Sequence, residues 1–185
     1  AVIDTGISPS HPDLAGKLVP GWDFVGNDDD PTDTPVRSSH GTHVAGTIAA
    51  ATDNGIGVAG VSWGAMIMPI RVLDSGGNGS YSRVMEGIEW AVLHGAQVIN
   101  MSLGGAIYPG QAFEATIRDA YSRGITLVAA TGNDYSQTVL YPAAFPEVIA
   151  VGATLKDNSR ASYSNVGSQV TVTAPGGSIV PNPLD

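Results

Sequence analysis

Apolar residues fall in short runs along this chain, separated by turns rich in glycine, proline and small polar residues. Val2-Ile3 reads as a buried strand that ends on Asp4-Thr5-Gly6, and residues 21–39 lack apolar periodicity and read as loop. Across residues 40–51, Val44, Ala45, Ile48 and Ala49 recur at helical spacing and predict a helix with one apolar face. Residues 66–72 predict a strand. The flexible turn at 75–80 follows, with Ser80 or Ser82 capping a helix that runs to His94-Gly95. Residues 98–101 predict the next strand, and 111–123 a helix closed by Gly124 at the C′ position. Residues 125–130 and 148–151 predict apolar strands, and 170–174 alternate as a further strand.

Strands that alternate with helices, and that are apolar on both faces, imply right-handed βαβ units and a buried parallel sheet. The expected fold is therefore α/β: a doubly wound parallel sheet with helices on both faces, in three α/β/α layers. There is no internal repeat, low-complexity tract or linker, so residues 1–185 are expected to form a single domain, incomplete at both ends. The opening Ala1-Val2-Ile3-Asp4 lies inside a strand, and the closing residues 181–185 are loop-like. Sites in such sheets gather beyond the C-terminal ends of strands, which singles out Asp4, Ser102 and Asn133.

The 43% hydrophobic content suffices for one sizeable core. The net charge of −9 excludes a nucleic-acid partner, because phosphate binding needs clustered Lys and Arg. Absence of cysteine excludes disulfide scaffolds, thiolate zinc sites and thiol catalysis. No apolar run approaches the ~20 residues of a membrane-spanning helix, and no membrane partner is expected.

Asp4-Thr5-Gly6 occurs once. An aspartic-protease dyad would need a second Asp-Thr-Gly or Asp-Ser-Gly, and none is present. Ser39-His40-Gly41-Thr42-His43-Val44-Ala45-Gly46-Thr47 places His40 where a loop enters a helix. The small Gly41, Ala45 and Gly46 would let that helix pack closely on its neighbours. Two histidines three apart could bind a metal, but no third ligand is evident nearby. Gly55-x-Gly57-x-x-Gly60 spells a dinucleotide fingerprint, yet a helix precedes it where a strand is required, so it is set aside.

Taken in order, Asp4-Thr5-Gly6, the block from His40 to Thr47, Asn100-Met101-Ser102-Leu103-Gly104-Gly105 and Ala129-Ala130-Thr131-Gly132-Asn133 resemble the signature blocks of the subtilisin-like serine proteases. The resemblance implies a serine endopeptidase with an Asp-His-Ser triad, an acyl-enzyme intermediate and no catalytic metal. Asp4 would orient His40, His40 would act as general base, and Asn133 would donate to the oxyanion. His43, one turn along, would be a packed structural histidine. Ser102, Leu103 and Gly104 would offer one edge to the substrate backbone, and Gly77-Asn78-Gly79 a second. Leu103, Tyr81 and Val84 would line an apolar pocket upstream of the cut. Ala130, Thr131 and Gly132 would wall the primary pocket, with Leu140 as a bulky floor that favours small side chains.

The same resemblance implies structural calcium, with Asp13, Asn54 and the carbonyls of Thr52, Ile56 and Val58 as ligands. One customary ligand comes from a mature N-terminal segment, so this site is expected to be incomplete or weakened. Asp23 with Asp28 and Asp30 resembles a second calcium loop in which Gly26 and Thr32 depart from the pattern. A third, near Ala143, Phe145 and Val148, lacks its carboxylate because Thr171 stands there. The family further implies polypeptide substrates, a propeptide or proteinaceous inhibitor, secretion and a monomer. No Gly-Thr-Ser-x-Ala nucleophile block occurs within residues 1–185, so the serine is expected beyond Asp185. The alternative is a non-catalytic peptide-binding fragment.

Overall fold

A computed structural model describes residues 1–33 and 39–178; the loop expected at 34–38 and the loop-like close at 181–185 lie outside the described residues. Contacts divide the chain into two compact units, Ala1–Asn100 and Met101–Asp185.

The first unit is built on parallel strands. β1 (Val2–Asp4) pairs with β3 (Pro69–Arg71) and with β4 (Val98–Met101), and β2 (Trp22–Asp23) pairs with the far side of β3. The order is thus β2-β3-β1-β4. β1 is buried along its whole length, as an apolar run in a parallel sheet should be. Against the strands pack α1 (His40–Ala49) and α2 (Tyr81–Leu93). Val2, Ile7, Leu14, Ala45, Ala49 and Ile67 form one core cluster. In α2, Gly87 faces the sheet so closely that a Cβ would stand 2.9 Å from a Val72 methyl and 3.1 Å from an Ile70 methyl.

The second unit carries β5 (Thr126–Ala130), β6 (Val148–Thr154) and β7 (Val170–Pro175), parallel and in that order. α3 (Gln111–Ser122) turns Phe113, Thr116, Ile117 and Ala120 inward. Gly124 follows its end at φ 81°, the left-handed conformation expected of a C′ glycine.

Several expectations need correction. β2 lies inside the stretch read as loop, because two residues are too few to show a period. Strand β3 occupies only the end of the predicted 66–72 run. Ser80, not Ser82, caps α2 by accepting the Arg83 N–H. β5 and β6 alternate buried with half-buried positions, and β7 is exposed along most of its length, so the strands are not uniformly apolar on both faces. Gly46 faces open space and contributes nothing to close packing. His43 is exposed, not packed: it points away from the face of α1 that carries Gly41, Ala45 and Ala49.

Candidate active site

Asp4 is the last residue of β1 and is fully buried. Its Oδ1 accepts from the Thr5 N–H at 2.7 Å and meets Nδ1 of His40 at 2.7 Å. A carboxylate can only accept, so Nδ1 carries the proton and Nε2 of the neutral ring keeps its lone pair. The other Asp4 oxygen, Oδ2, is buried without a hydrogen-bond partner among the described residues. The His40 side chain remains 45% exposed and can reach solvent or substrate.

The motif residues explain how the pair is held. An α-helix begins with unpaired N–H groups. Here the Thr5 hydroxyl accepts the Gly41 N–H at 3.0 Å, and Oδ2 of Asp33 accepts both the N–H and the hydroxyl of Thr42, at 3.2 and 2.9 Å. The first turn of α1 is thereby anchored to the segment that carries Asp4. A Cβ on Gly41 would fall 2.1 Å from the Gly6 carbonyl oxygen, so only glycine lets the helix approach this closely. Gly6 sits at φ 102°, a conformation open to glycine alone at little cost.

The hydrogen bond to Asp4 raises the His40 pKa above its ordinary 6.5; burial opposes this, and the negative charges of Asp4 and Asp33 add to it. Asp33, buried itself, was not singled out in the sequence. Its helix-capping bonds reach Thr42, nine positions along the chain, a spacing that carries no local signal.

In the second unit, Thr131 is buried and accepts the Leu140 N–H at 3.0 Å, while Asn133 is exposed just beyond β5. Gly105 and Tyr141 exchange backbone hydrogen bonds at 2.9 Å each, fixing the 102–105 segment to the 140–141 segment. Leu140 lies between the predicted substrate edge at Gly104 and the predicted pocket wall at Gly132. A Cβ on Gly104 would stand 3.0 Å from the Cβ of Leu140, and one on Gly132 would stand 2.6 Å from its Cγ. Ser102 and Leu103 are half-buried on the same strand exit, and Ala130 ends β5.

Of the other predicted substrate residues, Gly77 and Gly79 lie exposed on a turn wound around the Asp74 carboxylate, which accepts the Gly76 and Asn78 N–H groups at 2.9 Å each. Those bonds hold its pKa below the usual carboxylate value. Tyr81 is half-buried at the start of α2. Val84 is only 4% exposed and belongs to the core under that helix.

The candidate calcium residues separate into two situations. Asp13, 2% exposed, accepts from the Asn54 amide at 2.8 Å and from the Val58 N–H at 2.9 Å. These bonds hold its pKa below the ordinary value. Gly57, at φ 57°, presses so close that a Cβ would lie 2.0 Å from Asp13 Oδ2. The Thr52 hydroxyl is buried there without a partner among the described residues, and Ile56 donates its N–H to Asn54 Oδ1 at 3.2 Å. Both Asp13 oxygens and Asn54 Oδ1 thus accept from N–H groups. Asp23 differs: Arg71 donates to its Oδ2 at 2.6 Å, and the Val25 and Gly26 N–H groups take Oδ1. Asp28 accepts the Asp30 N–H, and Asp30 accepts the Thr32 hydroxyl. At the third position, Thr171 accepts the Ala150 N–H, and the Phe145 carbonyl accepts the Val148 N–H.

The architecture and this site define an α/β chain with an Asp–His pair at a strand end. The subtilase family model, peptidase S8, matches residues 1–183, and the chain belongs to that family. It is 43% identical to thermitase of Thermoactinomyces vulgaris over 176 residues, 95% of this chain and 62% of that protein. To subtilisin NAT of Bacillus subtilis subsp. natto it is 50% identical over 183 residues, 97% of this chain and 46% of that protein. The solved structure of a cold-adapted subtilisin-like serine proteinase superposes with a TM-score of 0.84 at 38% identity, covering 95% of this chain and 61% of that one. The chain therefore spans roughly half to three-fifths of the length of these relatives. Its doubly wound α/β fold is theirs.

Proposed function

We propose that this chain is the larger part of a serine endopeptidase that cleaves polypeptides through an Asp-His-Ser triad and an acyl-enzyme. The observation that carries the reading is the buried Asp4 carboxylate holding His40 Nδ1 at 2.7 Å while the ring stays open to solvent. In this reading Asp4 fixes the tautomer, and His40 Nε2 takes the proton of the attacking serine and returns it to the leaving amine. Asn133 donates to the oxyanion of the tetrahedral intermediate. The serine itself lies in a Gly-Thr-Ser-x-Ala block outside residues 1–185.

Ser102-Leu103-Gly104 would offer an extended edge to the substrate backbone, and Gly77-Asn78-Gly79 a second one. Leu103 and Tyr81 would contact an upstream apolar side chain; Val84 belongs to the core under α2. The primary pocket would be walled by Ala130, Thr131 and Gly132. Leu140, wedged against Gly104 and Gly132, narrows it towards small side chains.

Calcium would be held by Asp13, Asn54 and the carbonyls of Thr52, Ile56 and Val58, adding stability and no chemistry. At Asp23, Asp28 and Asp30 the Arg71 guanidinium already supplies a positive charge, which speaks against an ion there. Among the described residues no helix is long and apolar enough to cross a membrane. Membership of the family supports a secreted protease that works as a monomer and carries a propeptide.

The test is fluorophosphonate labelling of the purified intact protein, with intact mass and peptide mapping of the adduct. A labelled serine outside residues 1–185 supports the reading. A folded, unlabelled protein, or a label on a serine within these residues, overturns it.

A further inference from the structure

We propose that Asn165 is a positioning residue for the oxyanion donor, acting through the backbone on either side of Asn133; this rests on the role given to Asn133 above. Asn165 is 1% exposed and lies some thirty residues along the chain from the loop it serves. Its own N–H donates to the Gly132 carbonyl at 3.0 Å. Its Oδ1 accepts from the Asp134 N–H at 2.9 Å and from the Ser136 N–H at 3.0 Å. Its Nδ2 donates to the Thr138 carbonyl at 3.0 Å and to Asp134 Oδ2 at 3.3 Å. The Asn165 carbonyl accepts the Thr131 and Ser164 hydroxyls at 3.2 Å each.

The pattern matters because of where the bonds fall. Gly132 C=O belongs to the peptide unit before Asn133, and Asp134 N–H to the unit after it. Peptide units are planar, so tying one group on each restrains the φ and ψ of Asn133 between them. Without such ties the turn would be poorly determined, since Gly132 sits at φ 112°, Tyr135 at φ 53°, and residues 133–135 are exposed.

Asparagine suits the position because one side chain must accept twice and donate twice. Aspartate would set a second carboxylate against Asp134, and leucine would abandon all four bonds. The fit is mutual: a Cβ on Gly132 would fall 2.3 Å from Asn165 Nδ2. An oxyanion donor displaced by about 1 Å costs on the order of 10²-fold in rate. The Asn165 side chain bonds residues 134, 136 and 138, while the pocket-wall residues Thr131 and Gly132 are held by its backbone, so replacing the side chain acts on turnover and not on substrate binding.

The test is steady-state kinetics of the intact protein on a peptide anilide, run as a double-mutant cycle. Asn133→Ala should lower kcat by ~10²–10³-fold, the factor known for this donor in subtilisin. Asn165→Ala should lower kcat by about 10–10²-fold with KM within about twofold, and should add almost nothing once Asn133 is already alanine. An equal loss in both backgrounds, or a matching rise in KM, overturns the positioning role while leaving Asn133 its own. An Asn133→Ala enzyme of normal kcat removes the role of Asn133 instead, and the proposal with it. If Asn165→Ala does not fold, Asn165→Asp serves. It should be slow alone and regain kcat when Asp134→Asn restores a donor opposite the new carboxylate. No recovery in that pair overturns the proposal.

Discussion

Asp4 and Asp23 stand at the ends of β1 and β2, the two strands that flank β3, and both are in register with Arg71. Both are buried, and each grips one nitrogen at nearly the same distance, 2.7 Å to His40 and 2.6 Å to Arg71. The partners differ in two ways. The His40 side chain is 45% exposed and is an imidazole, which can give up its proton, whereas Arg71 is 14% exposed and presents a guanidinium fork. A buried carboxylate at a strand end is thus not by itself a chemical site. It becomes one when its partner can lose a proton and meet a substrate; otherwise it is a strut. At Asp23 the fold sets its own cation, Arg71, against the carboxylate.

The comparison breaks most sharply on turnover. Asp4→Asn in the intact protein should lower kcat by ~10⁴-fold, as loss of the orienting acid does in another serine-protease triad, with the melting temperature little changed. Asp23→Asn should leave kcat within about twofold; a comparable collapse would erase the distinction. Stability should respond in the opposite sense. Arg71→Met strands the buried Asp23 charge and should cost about 3–5 kcal/mol in denaturant unfolding. Asp23→Leu added to Arg71→Met should recover most of that loss, because an apolar pair needs no compensation.

The smallest effect concerns pH. His40 gains a carboxylate partner on folding, so its pKa stands above 6.5. The stabilisation it contributes is complete below 6.5 and fades as pH rises through the raised value. The base is competent only above that value, so the acid limb of kcat/KM should lie above pH 6.5 and move to lower pH in Asp4→Asn. NMR titration of the ring reads the same shift directly.

The readable parts of this molecule are those whose cause is local. β1, β4, α2 and α3 announce themselves because hydrophobic spacing reflects the geometry of the element that buries it. The Asp-Thr-Gly and His-Gly-Thr-His blocks were legible as motifs, and the structure supplies their physics: Thr5 caps α1, Gly6 takes a left-handed turn, and Gly41 admits the Gly6 carbonyl. β2 escaped notice because two residues carry no period, and His43 was misjudged because its side of α1 faces outward.

Residue order alone therefore settled the helices and most strands, though not β2 or the bounds of β3, the α/β class, and the presence of Asp4, His40 and Asn133 at strand exits or a helix start. It could not say that Arg71 would neutralise Asp23, that Asp33 would cap α1, or that Asn165 would hold the loop around Asn133. Each of those contacts joins residues 9 to 48 positions apart. Hydrogen bonds of that kind have no period and no preferred spacing. They exist only once burial of the apolar faces has fixed where the chain passes, and so they belong to the folded structure.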